Sequence, residues 1–148
     1  MGVLDKKTTM FERDSSGKLI PTDVELVIDE NDMEQLALKG TRVFLIPLPR
    51  GDLRKFFNSI RKNQELREKM SPEEKDTMDN DFKYDFDAQL VLSNCVEPKY
   101  TEDEVKFVKG GIITAIVNTI LFVSGIDTKK NKKREKAFAE AEDEFGKN

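Results

Sequence analysis

GGIITAIVNTILFVSGI, residues 110–126, is the longest apolar stretch of the chain, with Lys109 and Asp127 as its nearest charges. Such a segment is either a membrane span or the centre of a folded core. Its 17 uncharged residues reach only the lower edge of spanning length. Thr114, Asn118, Thr119 and Ser124 would all need partners inside hydrocarbon, and glycines at both ends shorten the helix proper. The chain around it is strongly polar, with a mean hydropathy of −0.59. The β-branched content leaves a buried strand open, but the length favours a helix. A helix that is apolar nearly all round has to be surrounded by other elements. Residues 108–126 are therefore predicted to form a central core helix, and the expectation is no membrane span.

Upstream, the chain supplies what would wrap that helix. Residues 1–18 are polar and read as a flexible N-terminal arm. Val24, Leu26 and Ile28 alternate after Pro21, which predicts a strand. Met33–Lys39 is a short turn or helical segment ending at Gly40. Arg42–Leu48 (RVFLIPL) reads as a second strand, with Pro47 pushing its end to an edge. Asp52 is a candidate N-cap for a helix with Leu53, Phe56, Phe57, Ile60 and Gln64 on one face. Ser71-Pro72-Glu73-Glu74 places a capping serine, a proline at N1 and a glutamate at N3. Met78, Phe82, Phe86 and Leu90 then recur every four residues, widened by Val91, and predict one continuous helix with its aspartates toward water. Pro98 ends it, since α geometry is disfavoured at Glu97. Thr101-Glu102-Asp103-Glu104 is a second capping box, and Gly110-Gly111 punctuates before the core helix.

Downstream, residues 128–148 read as a charged tail, helical or disordered. The basic run 129–136 is answered by Glu140, Glu142, Asp143 and Glu144, which suits an exposed helix of alternating charge blocks. Phe138 and Phe145 lie seven residues apart on it and are candidates to dock on the body or on a partner.

Composition excludes more than it assigns. The 148 residues fit one domain of ordinary size, and a chain this long can bury a real core without disulfides or metal. A net charge of −4 lacks the basic footprint of a general nucleic-acid binder. There is no histidine, so serine and cysteine triads, most zinc sites and imidazole acid–base catalysis are out of reach. Carboxylate- or lysine-based chemistry alone stays open. Cys95 is the single cysteine, which precludes an intramolecular disulfide and fits a reducing compartment. It reads as a small buried hydrophobe. An EF-hand loop from Asp79 would need glycine and glutamate where Tyr84 and Leu90 stand. The two adjacent glycines lack the spacing of a phosphate loop. The N-terminal residues show no signal peptide, and Lys6 breaks a myristoylation motif at Gly2. No catalytic residue, metal ligand or cofactor is assigned.

Asn94-Cys95-Val96-Glu97-Pro98-Lys99-Tyr100-Thr101, then Glu104-Val105, Gly110, and Ile116-Val117-Asn118-Thr119-Ile120-Leu121 with Ser124-Gly125, resembles the tail assembly chaperones of tailed phages. The likeness in element order runs over 20–127, but only 94–125 is specific. Its marker residues are Val96, Glu97, Pro98, Lys99, Val117, Asn118, Ser124 and Gly125. The resemblance implies a non-enzymatic protein of the host cell cytoplasm, absent from the finished virion. It would bind the tape measure protein and help tail tube subunits assemble around it.

A binder of amphipathic helices needs an apolar groove with a polar rim. Phe56, Phe57, Phe82, Phe86, Phe107 and Phe122 are available to line one, although each would equally fill a core. Phe56, Phe57, Phe82, Phe86, Phe138 and Phe145 are the candidate partner-binding residues. The expected fold is α+β, mainly α: a small N-terminal β segment packed on three to four helices around the central one. Residues 19–127 are expected to make up the single domain. Self-association into a homo-oligomer is also expected. Two other classes of function compete: a structural tail or head–tail connector component of the particle, and a small protein-interaction module.

Overall fold

The computed structural model describes residues 2–126. The apolar stretch is a helix, α6 (Gly110–Val123), whose Ala115, Ile116, Val117, Thr119, Ile120 and Leu121 are all buried. Burial of each large aliphatic side chain there stabilises the fold by about 1.5–3 kcal/mol relative to exposure. Among the described residues no helix is long and apolar enough to cross a membrane.

A three-stranded antiparallel sheet and five further helices enclose α6. The strands are β1 (Thr22–Glu25), β2 (Arg42–Leu45) and β3 (Cys95–Glu97), in spatial order β1-β2-β3. Val24 lies opposite Val43 and Thr22 opposite Leu45, so the inner face carries Val24, Val43, Leu45 and Cys95. The helices are α1 (Met33–Leu36), α2 (Arg50–Glu68), α3 (Pro72–Asp79), α4 (Phe86–Asn94) and α5 (Glu102–Val105). The mainly helical α+β architecture matches the expectation. β1 and β2 form within the two predicted strand segments and pair with each other, and Gly40, which ends the α1 segment, adopts φ +87°.

Three features depart from the sequence prediction. First, the helix expected from Ser71 through Leu90 is three pieces. α3 ends at Asp79, a 3-10 turn spans Phe82–Tyr84, and α4 starts at Phe86. The aspartates read as a solvated face do the breaking. The Asp81 carboxylate accepts from the Lys83 N–H, and that of Asp85 accepts from the Ala88 N–H. Second, Asp52 does not cap α2. That helix starts after Pro49 with no side-chain cap, and Asp52 sits in its first turn. Third, Cys95–Glu97 is a strand, where only a helix break was expected. Ile46 and Asn94 exchange two 2.8 Å hydrogen bonds, from the Ile46 N–H to the Asn94 carbonyl and from the Asn94 side-chain Nδ2 to the Ile46 carbonyl. They align β3 on β2. Both capping boxes form, at Ser71–Glu74 and at Thr101–Glu104. α6 runs from Gly110 to Val123, inside the predicted span 108–126.

Two hydroxyls, one on α6 and one at its C-cap, anchor the segments that follow the first two strands. Thr119 Oγ1 accepts from the Val27 N–H at 2.9 Å and donates to the Ala115 carbonyl at 2.7 Å. Ser124 Oγ accepts from the Leu48 N–H at 2.8 Å and donates to the Ile120 carbonyl at 2.6 Å. Residues 2–18 are exposed throughout and are organised by short-range bonds: a 3-10 turn at Lys6–Thr9 and an isolated bridge between Arg13 and Leu19.

Candidate functional site

The motif residues fall into two groups by position, one on and just after α6 and one in the turn after β3. Val117 is fully buried, Ser124 is spent on the Leu48 N–H, and Gly125 takes φ +102° after α6. Asn118 is half-buried and its Oδ1 makes no hydrogen bond. These four belong to the architecture of the central helix. Val96, Glu97, Pro98 and Lys99 are all exposed at the end of β3, with the Glu97–Pro98 bond cis. Lys99 Nζ donates to the Leu92 carbonyl at 3.2 Å, which ties the turn to α4.

Cys95 begins this turn and faces inward. Its thiol donates to the Pro98 carbonyl at 3.0 Å. Burial pushes it from an ordinary value of 9.0 up to about 11, against the pull of Lys99. A thiol held protonated in this way is neither nucleophile nor metal ligand at neutral pH. Burial likewise raises Tyr100.

The predicted aromatic surface is redistributed. Phe56 and Phe57 are buried in the core, in edge-to-face contact with ring centroids 5.7 Å apart. Both belong to the buried core cluster on the inner side of α2, where the sequence pattern made them candidates to line a groove. Phe82 and Phe86 are half-buried and pack against the same core. The Lys106 ammonium lies 5.5 Å from the Phe82 ring centre. Phe138 and Phe145 lie outside the described residues.

The aromatic side chains left at the surface are others. Phe107, in the turn between α5 and α6, is 88% exposed, and Phe122 on α6 is 46% exposed. Phe44 of β2 and Val96 of β3 emerge on the outer side of the sheet, 38% and 39% exposed. Asp23 and Glu97 stand opposite Phe44 on the two neighbouring strands, and Arg42 Nε donates to Asp23 at 2.8 Å. Strand alternation held the signal for Phe44: Val43 and Leu45 point inward, so the residue between them must point out.

Among the described residues no group of three or more histidine, cysteine, aspartate or glutamate side chains is placed to hold a metal ion. No family model, curated protein or solved structure matches the chain.

Proposed function

We propose that the chain is a non-enzymatic assembly chaperone of a phage tail, acting in the host cytoplasm. It binds helical segments of the tape measure protein and keeps them soluble while tail tube subunits assemble around them. The resemblance over residues 94–125 supplies the family. The observation that supports a docking role is the exposure of Phe44 and Val96 on adjacent strands. Asp23 and Glu97 stand opposite Phe44, and the exposed Glu97-Pro98-Lys99 turn follows Val96. An apolar centre inside a polar border is the arrangement a helix-binding surface requires. Phe107 and Phe122 add exposed apolar area elsewhere.

Co-expression with the tape measure protein of the same phage tests this function. The expected result is a soluble complex, lost in a folded Phe44→Glu/Val96→Glu double variant. Recovery of an insoluble tape measure protein with no complex overturns the proposal. So does finding the chain as a stoichiometric part of purified particles, which is the behaviour of a tail or connector component.

A further inference from the structure

Residues 73–94 contain neither proline nor glycine, and Met78, Phe82, Phe86 and Leu90 recur at helical spacing. The chain there nevertheless folds as α3, a 3-10 turn and α4. Asn80 stays close to helical values at φ −97° and ψ 1°, and Phe82–Tyr84 is itself a helical turn. The residues that leave the helical region are Asp81 (φ −96°, ψ 115°) and Asp85 (φ −88°, ψ 79°), and each does so as a cap. The Asp81 carboxylate accepts from the Lys83 N–H and that of Asp85 from the Ala88 N–H, both at 3.1 Å. Gln89 Nε2 donates to the Phe82 carbonyl at 2.9 Å, on the acceptor that a continuous helix would give to the Phe86 N–H. Rotating ψ at the two aspartates to about −42° joins Pro72–Asn94 into one helix of about 23 residues, roughly 35 Å long.

The two helices on either side of this break are seated differently. α4 buries Ala88, Leu90 and Val91 in the core cluster that surrounds α6. α3 buries Met78, which stands outside that cluster. Arg67 of α2 grips Asp79 through two hydrogen bonds of 3.1 and 3.0 Å, and both side chains are about half exposed. Between α3 and the 3-10 turn the side chains do not close up. An open cleft of about 430 Å³ remains there, with Met70, Met78 and Tyr84 on its walls.

We propose that α3 is a hinged flap. In its resting position the two aspartate caps fold it back beside α2, and release of the caps lets it swing out as a straight extension of α4. α4 keeps its seat through the swing. Phe82 and Phe86 stay on the helix face of Leu90, which the core already holds, so Met78 and Asp79 are the groups that leave their partners. The two forms exchange one set of backbone partners for another, side-chain caps against i→i−4 bonds, and the burial of Met78 tips the balance to the folded-back form.

Backbone NMR of the full chain reads both hinge residues directly. Wild type is expected to show helical Cα shifts over Pro72–Asp79 and Phe86–Asn94, a break at Asp81 and Asp85, and NOEs from the Met78 methyl to the residues that bury it. In Asp81→Ala/Asp85→Ala the helical shifts run unbroken from 72 to 94 and those NOEs are lost. Asp81→Asn/Asp85→Asn keeps the wild-type pattern, because asparagine caps about as well as aspartate. An alanine variant still broken at both positions overturns the proposal, since packing and not capping would then hold the turn. An unbroken helix with Met78 still buried overturns the swing, and an asparagine variant that straightens overturns the role of the caps. Cross-strand NOEs between β1 and β2 verify that each variant is folded. If the alanine pair loses them, Arg67→Ala carries the test. It frees α3 and leaves both caps in place, so the amides of α3 lose exchange protection while those of α6 keep theirs. Unchanged protection in α3 is there the overturning result. No tape measure protein enters these experiments, so the flap is judged apart from the chaperone function.

Discussion

Replacing Thr119 by valine removes one oxygen from the centre of the protein and almost no volume. Thr119 is fully buried on α6, and its hydroxyl is the acceptor for the Val27 N–H, in the segment leading from β1 to α1. The Ala115 carbonyl, to which the hydroxyl donates, loses little, since a helix carbonyl already has its backbone partner. The Val27 N–H is left without an acceptor, and orphaning a donor costs about 1–3 kcal/mol. Thr119→Ser makes the opposite change: it keeps the hydroxyl and deletes a methyl group, a loss of about 1 kcal/mol. Valine is therefore expected to be the worse substitution, although it conserves shape and apolarity better. In a domain of this size a loss of 2 kcal/mol lowers the melting temperature by roughly 4–8 °C. Thermal and urea unfolding of the three proteins give the comparison, and amide exchange at Val27 localises it. A valine variant as stable as wild type would refute the reasoning. It would mean that the Val27 N–H finds water at no net cost.

Two further outcomes follow from the surroundings of a glycine and a thiol. A Cβ at Gly111 would lie 2.8 Å from Asp32 Oδ2 and 2.9 Å from Glu34 Oε1, and Asp32 is fixed as the N-cap of α1. Gly111→Ala is thus expected to destabilise by about 1 kcal/mol or more despite the better helix propensity of alanine, whereas Gly110→Ala, with open space, is neutral or mildly stabilising. Chemical denaturation of the pair measures the difference. Cys95, raised from 9.0 to about 11 by burial, binds its proton more tightly folded than unfolded. Its contribution is fully present below pH 9 and declines as pH rises toward 11, so wild type should lose stability over that window more steeply than Cys95→Ala. Equal slopes in urea titrations across pH 8–11 would count against it.

The parts of the fold legible in sequence are those where one pattern has one physical outcome. The uncharged run 110–126 could only be central, and Val24 and Leu26 could only alternate. The Ser71 and Thr101 boxes fixed two helix starts through bonds within four residues of each other. Between Ser71 and Leu90 two signals conflicted. The spacing of Met78, Phe82, Phe86 and Leu90 favours a continuous helix, while Asp81 and Asp85 offer carboxylates to nearby N–H groups. The caps won because a short aspartate side chain bonds its own backbone without tertiary help. The placement of β3 was not legible, since its register depends on the Asn94–Ile46 pair, 48 residues apart.

The candidate site was harder to read, because spacing shows which face of a helix is apolar but not what covers it. Phe56 and Phe57 met that criterion and turned out to be covered. Phe44 did not stand out within an apolar run and turned out to be open. The stretch 94–125, on which the proposed function rests, mixes both kinds of residue. Asn94 ties the end of α4 to Ile46, Val117 is fully buried in the core, and Ser124 ties the end of α6 to Leu48, so substituting them tests folding before it tests anything else. Val96, Glu97, Pro98 and Lys99 are exposed at the end of the edge strand, and their side chains contribute little to the core. A variant series that keeps the first group and alters the second therefore separates the stability of the domain from its binding. The discriminating substitutions lie at Val96 and Phe44, on the outer side of the sheet, and not in the apolar helix that organises the fold.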